Sequence, residues 1–220
     1  MTAGRTWGGV APAALVLAAL VLVLVLVLAV APAEAAARAG GERSAVCAVK
    51  GSTTIAQNEQ ARVYERSQRG DADQHLLIGC LLRSGQTVRL ERWFSCGCSR
   101  GDEAAPQVWL RGRIVAVNRY SCPPDPLLGG CVGGARTVSL RTGEALHRAS
   151  TGTSVAALAL GPRGAFAYVS SGGAVVKSDA SGETVVLDAG PGIEPESLAV
   201  AGARVYWLRA GAPQTALLAP

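Results

Sequence analysis

The residues with the clearest chemistry in this sequence are its cysteines. There are six of them, Cys47, Cys80, Cys96, Cys98, Cys122 and Cys131. An even number of cysteines is typical of disulfides when a chain is exported. Zinc is the alternative, but the single residue between Cys96 and Cys98 is a shorter spacing than structural zinc sites use. We therefore predict up to three disulfides and no metal.

The local sequence narrows the first pairing. Cys47 and Cys80 are the two cysteines set in apparent strand sequence, at residues 45–49 and 76–82. We expect them to bond to each other if these two strands are neighbours.

The other four cysteines lie in two Gly- and Pro-rich stretches, 93–106 and 120–135, which we interpret as insertions. The two in the first insertion are separated by one residue, so a bond between them is strained. We expect these four cysteines to link the two insertions to each other or to themselves, and we favour a bond from Cys96 or Cys98 to Cys122 or Cys131.

No other residues form a recognisable catalytic or ligand-binding set. His75 precedes a predicted strand and His147 lies within one, and neither is accompanied by Ser and Asp in a triad pattern. Arg-Gly-Asp occurs at 69–71 and 100–102, and we interpret both copies as loop residues rather than adhesion motifs. The Gly-rich stretch 129–134 lacks the Lys-Ser/Thr of a phosphate loop. We predict no catalytic, cofactor-binding or metal-binding residue.

Charge and composition exclude further classes. The chain has a net charge of +5 and is 49% hydrophobic, too apolar for a disordered protein. Acidic residues are interspersed with the basic ones, so we expect no basic face and no nucleic-acid partner. Tryptophan and tyrosine fall mostly in predicted strands, where we expect core packing and cross-strand pairing.

The N-terminus is a targeting segment. Arg5 precedes an unbroken apolar run at 13–31, and Ala-Pro-Ala at 31–33 matches the small-residue pattern of a cleavage site. We predict a signal peptide within 1–39. About 19 apolar residues also suffice to cross a bilayer, so an uncleaved signal anchor is the alternative. Either way the remainder is placed outside the cytoplasm, secreted or at the cell envelope.

The elements that carry these residues repeat. Three segments share a strand, a Ser/Thr-Gly-Glu/Gln turn and a second strand, with the turn glycine at Gly85, Gly143 and Gly182. Glycine supplies the positive φ that such hairpin turns need. The interval from Gly143 to Gly182 is 39 residues, close to the roughly 40 to 45 residues of a four-stranded propeller blade. The longer interval from Gly85 to Gly143 contains the Cys-rich insertions.

This repeat predicts an all-β domain at 40–220, preceded by an N-terminal apolar helix. The predicted strands are 53–55, 60–65, 76–82, 86–92, 107–111, 113–119, 136–141, 144–149, 154–160, 165–170, 174–178, 183–188, 196–201, 204–208 and 215–219. They form antiparallel meanders of a small, about four-bladed or partial β-propeller, and a β-sandwich-like stack is the alternative. The last blade lacks its outer strand, which we expect residues 45–49 to supply.

The C-terminal part resembles a known kind of protein. The stretch 190–200, followed by 205–209 and 216–218, is similar to the final blade of uncharacterised exported actinobacterial β-propeller-like proteins with TolB-like or WD-type repeats. The resemblance covers about residues 45–220 and implies a fold but no activity.

We therefore expect an exported, non-enzymatic module without a cofactor that binds a protein or small ligand on one loop-bearing face. The first alternative is an envelope accessory domain anchored in the membrane through residues 13–31. The second is an extracytoplasmic hydrolase with its site in a propeller channel.

Overall fold

The computed structural model describes residues 46–68, 73–95, 105–121 and 132–218. Runs rich in Val, Leu, Ala and Thr, separated by glycine turns, make this part of the chain almost entirely β-strand. Apart from one 3-10 turn at Pro162–Gly164, the elements are all strands. In chain order they are β1 Ser52–Gln57, β2 Ala61–Gln68, β3 Asp73–Leu81, β4 Thr87–Ser95, β5 Val108–Arg111, β6 Ile114–Ser121, β7 Val132–Ser139, β8 Ala145–Ser150, β9 Val155–Leu160, β10 Phe166–Ser170, β11 Ala174–Ser178, β12 Thr184–Ala189, β13 Ile193–Ala201, β14 Arg204–Arg209 and β15 Ala212–Leu217.

The fifteen strands pair with their chain neighbours in four antiparallel meanders. The first sheet contains β1 to β4, the second β5 to β8, the third β9 to β12 and the fourth β13 to β15. The predicted all-β class, and the predicted division into three complete groups of four strands and one group of three, are confirmed.

The predicted hairpin turns form as their sequence requires. Gly85, Gly143 and Gly182 have φ of 70°, 77° and 88°, a region that glycine enters without steric cost. In the second sheet, the Gly143 amide donates to the Ser139 carbonyl at 2.8 Å, and the Ser139 amide donates to the Glu144 carbonyl at 3.0 Å. These bonds close this hairpin and fix its register.

Each sheet packs its face against the next sheet. Leu77 of the first sheet packs with Val117 of the second, and Ala149 of the second packs with Phe166 of the third. A further cluster joins β10 and β11 to Val205 of the fourth sheet. Burial of each large apolar side chain contributes about 1.5–3 kcal/mol relative to exposure. Among the described residues, no buried cluster joins the fourth sheet to the first.

The outer face of the first sheet is covered by the segment at 46–49. Cys47 is buried there with Tyr64 and Cys80. Arg62 is also buried, and its guanidinium donates to the Cys47 carbonyl at 2.6 Å and lies over the Tyr64 ring. The prediction that 45–49 forms the outer strand of the last blade is wrong. Residues 46–49 are not a strand, because side-chain contacts with the first sheet hold them, and the fourth sheet keeps three strands.

The strands reach further than predicted into both Cys-rich stretches. β4 continues to Ser95, β6 continues to Ser121, and β7 begins at Val132. Most of each predicted insertion, 93–106 and 120–135, lies outside the described residues, so both stay predictions. The predicted N-terminal helix and the segment 1–39 also lie outside the described residues.

Candidate functional site

The first and second sheets lie side by side, with their hairpin turns after β3 and β7 at the same end. At one end, Gln86 of the first sheet donates from its side chain to the Arg141 carbonyl of the second at 2.9 Å. Both residues belong to the hairpin turns that follow β3 and β7, so we call this the turn end. The opposite end, where β2, β4 and β6 finish, is the connection end. Side chains near the connection end of these two sheets meet across the interface between them.

A β-bulge in β4 aims an acidic side chain into this interface. Glu91 pairs with Leu77 in the ladder, while Arg89 pairs with Ile78, so Leu90 between them has no direct partner. The bulge turns two successive side chains toward the second sheet, since alternation is interrupted at the extra residue. Leu90 is buried in the apolar cluster, and Glu91 lies beside it with 11% of its side chain exposed.

Two arginines of the second sheet approach this carboxylate. Arg136 Nη2 lies 3.2 Å from Glu91 Oε2, and Arg119 Nε lies 4.0 Å from Glu91 Oε1. Arg136 also donates to the Leu90 carbonyl through Nη2. Its Nε is buried and has no hydrogen-bond partner among the described residues. Arg136 is thus held in place at one nitrogen and unsatisfied at another.

A third arginine completes a groove of about 440 Å³. Its wall is formed by Arg119, Arg136 and Arg148, one from each of β6, β7 and β8. Gly134 pairs with Arg119 on one side and with Ser150 on the other, and all three line the groove. Because glycine has no side chain, the groove floor between Arg119 and Ser150 is open.

The sequence-based prediction of no basic face missed this cluster. The three arginines are spread over residues 119–148, and only the pairing of three strands brings them together. The signal in the sequence was arginine near the connection end of three successive predicted strands, which a count of net charge does not reveal.

A second polar group lies on the same face of the first sheet. His75 Nδ1 contacts Glu65 Oε1 at 2.5 Å and Ser67 Oγ at 3.4 Å, and the imidazole stacks on Trp93 with ring centroids 5.2 Å apart. These are the residue types of a catalytic triad, but both contacts use the same ring nitrogen. A triad needs the acid and the nucleophile on opposite nitrogens, so this geometry does not relay a proton from serine to carboxylate. His75 lies within β3, and the prediction that it precedes a strand is wrong.

One predicted disulfide is confirmed. Cys47 and Cys80 are bonded, with their Cα atoms 5.9 Å apart, a normal separation for a disulfide. Cys80 lies in β3 as expected, whereas Cys47 lies in the non-strand segment at 46–49. Cys96, Cys98, Cys122 and Cys131 lie outside the described residues, so their pairing stays a prediction.

Some of the remaining candidate residues lie in the described part of the chain, and others lie outside it. His147 lies in β8 as predicted. Both Arg-Gly-Asp copies, at 69–71 and 100–102, lie outside the described residues. Trp93 and Trp207 are buried as expected, but Trp109 is 41% exposed and so is not a core residue.

Neither a metal site nor a membrane-spanning helix is present in the part of the chain that the structure describes. Its His, Cys, Asp and Glu residues form no group of three or more able to hold a metal ion. None of its helices has the length and hydropathy needed to cross a bilayer.

A scan against protein-family models finds no match to this sequence, and a search of curated proteins finds no similar one. The fold and the geometry of the groove therefore carry the functional argument alone.

Proposed function

We propose that this chain is an exported, non-enzymatic, propeller-like module that binds a small ligand or protein at the connection end of its second sheet, beside the first. The observation that carries this proposal is the open groove lined by Arg119, Arg136 and Arg148. Polar groups converging in a cleft on a rigid scaffold are the usual form of a binding site. Here the scaffold is a pair of sheets joined by a buried apolar cluster.

Two observations support the propeller-like and exported parts of the proposal. Four consecutive antiparallel meanders, each packed on the next, are the building plan of a propeller arc. The Cys47–Cys80 bond favours an oxidising compartment. The apolar run at 13–31 supplies a route of export, and if it is not cleaved the same module is held at the membrane.

The first experiment tests export and oxidation. The full-length chain is produced in an exporting bacterial host, and the intact mass of the product is measured before and after reduction. We expect a mature start between residues 34 and 40 and a mass gain of two hydrogen atoms per disulfide. A retained N-terminus supports the anchored form of the module. A product with every thiol free contradicts export to an oxidising compartment.

The same product tests the absence of enzymatic activity. Wild type and the variant His75→Ala are compared for hydrolysis of a series of nitrophenyl esters, with Ser67→Ala as a second variant. We expect equal background rates in all three, because Ser67 and Glu65 share one nitrogen of His75. A rate that depends on both His75 and Ser67 replaces the proposal with a hydrolase.

A further inference from the structure

The groove on the second sheet, beside the contact of Arg136 with Glu91 of the first, carries more positive charge than the described residues around it neutralise. Arg119, Arg136 and Arg148 line it, and Glu91 is the acidic residue within ion-pair distance of this set among the described residues. Arg148 forms no ion pair in the described part of the chain. Three arginines and one glutamate leave a surplus of two positive charges on the groove wall.

Arg136 also has an unused donor. Glu91 and the Leu90 carbonyl occupy Nη2, while Nε is shielded from solvent and lacks a partner among the described residues. A buried donor without an acceptor is costly, and most such groups in folded proteins are satisfied. In this side-chain position a ligand oxygen does not reach Nε, and a turn of the Arg136 guanidinium toward the groove would bring this donor to one.

Gly134 lies in the groove lining at a position where a side chain does not fit. A Cβ atom built on Gly134 meets the Ala149 carbonyl oxygen at 3.0 Å, so any side chain at this position intrudes into the space beside that carbonyl. Arg119 and Ser150 flank the glycine in register, and Ser150 adds a hydroxyl to the wall. Charged donors and a hydroxyl therefore surround a position with no room for a side chain.

We propose that this groove binds the phosphate monoester group of a small ligand. This assignment rests on the proposed function and names its ligand class. A phosphate monoester carries nearly two negative charges at neutral pH and has three strong acceptor oxygens, which match the two surplus charges and the several donors. Arginine is suited to the task because its planar fork bonds oxyanions at two points. A monocarboxylate leaves one of the two charges without compensation.

The test uses phenyl phosphate and benzoate as probes of similar shape and different charge. Binding to the purified exported protein is measured by titration calorimetry at pH 7.5 and constant ionic strength. We expect phenyl phosphate to bind about tenfold or more tightly than benzoate, because each lost charged hydrogen bond has at least that effect. Equal affinity for the two probes, or no heat with phenyl phosphate, overturns the assignment.

Two variants locate the binding. Arg148→Ala removes one of the three arginines of the groove wall and should weaken phenyl phosphate binding about tenfold or more. Arg83→Ala is the matched control, since Arg83 is exposed in the hairpin turn at the opposite end and its loss changes net charge equally. The two variants should differ clearly, and the same affinity in both places the phosphate elsewhere.

A third variant tests shape without changing charge. Gly134→Val fills the floor of the groove and should abolish phenyl phosphate binding. Its circular dichroism and thermal midpoint show whether it folds, and if it does not, the Arg148→Ala and Arg83→Ala pair still decides the question. Failure of phosphate binding leaves the measured export, disulfide state and lack of esterase activity unchanged, so it is distinguishable from failure of the proposed function.

Discussion

The interface between the first and second sheets and that between the third and fourth are built from the same positions of the repeat. Glu91 and Asp188 each lie six residues after the turn glycine of their sheet. Each follows a leucine, Leu90 or Leu187, that is left unpaired at a β-bulge. In both sheets the bulge therefore places a leucine and an acidic residue together on the face toward the next sheet.

The two interfaces differ in how that acid is used. Asp188 accepts from Arg209 Nη1 at 2.6 Å and from Trp207 Nε1 at 2.9 Å, so charge and hydrogen bonds balance. Glu91 faces arginines on two strands of the second sheet, and the residue in the place of Trp207 is Val117, which offers no donor. At the interface of the third and fourth sheets the acid and its donors are paired, so we call it the closed pair. At the interface of the first and second sheets, arginine donors remain without an acceptor among the described residues.

The middle interface shows what happens without the acid. Ala149 stands six residues after Gly143, and the space toward the third sheet is filled by Phe166 and Tyr168, whose ring centroids are 6.2 Å apart. An apolar interface is thus available to this fold. The arginine surplus between the first two sheets is consequently not a requirement of sheet packing, which is the reason to assign it to a ligand.

The largest expected effect concerns the closed pair. Trp207→Ala removes a side chain that is 5% exposed and leaves Asp188 without one donor, so we expect a loss of about 3–5 kcal/mol in the free energy of unfolding. Val117→Ala at the matching position should cost about 2 kcal/mol, because only a small apolar group is lost. Urea unfolding of both variants measures the difference. Equal losses would show that the two interfaces do not differ in the way proposed.

An intermediate effect is expected from the acids themselves. Glu91→Gln leaves three arginines close together and should cost about 1–3 kcal/mol at low salt, with part of the loss recovered at high salt as repulsion is screened. Asp188→Asn leaves a single arginine, Arg209, so its loss should depend less on salt. Urea unfolding at two salt concentrations gives both values. The same salt response in the two variants would contradict the charge surplus.

Local features made most of this fold predictable from the sequence. Most hairpins are specified by residues close in the chain, often a polar residue and a glycine between two apolar strands, so all fifteen strands and their grouping were predicted. The Cys47–Cys80 bond was predicted from its strand context, although only Cys80 is in a strand. The segment at 46–49 was mispredicted because its conformation depends on Arg62 and the disulfide, both contacts with distant residues.

The groove could not be predicted for the same reason. It depends on the bulge at Leu90, which no turn residue marks, and on the pairing of strands that bring Arg119 beside Arg148. The third sheet adds another case. Its β9 to β10 connection contains the turn Pro162–Gly164 and is longer than the corresponding connections of the second and fourth sheets. As a result Phe166 faces the second sheet, and Ala167 faces the fourth. The register of a face follows from such connections and not from composition.

The smallest effect is expected at the turn that leads into the strand of Asp188. Asp179 accepts from Ser181 Oγ at 2.6 Å and from the Ser181 and Glu183 amides at 3.0 and 3.1 Å. The Ser181 hydroxyl first, and then the two amides, lower the pKa of Asp179 below its ordinary value of 3.8.

Because its folded pKa is lowered, Asp179 stabilises the protein above pH 3.8, and this contribution is lost as the pH falls through the folded pKa. Asp179→Asn should therefore unfold at a slightly lower temperature than wild type at pH 7, and the gap should narrow below pH 3.8. Thermal melts of wild type and variant from pH 7 to pH 3 measure that gap. A gap that widens toward low pH would contradict stabilisation by the Asp179 carboxylate. In that case the turn would not stabilise the interface between the third and fourth sheets in preference to that between the first and second.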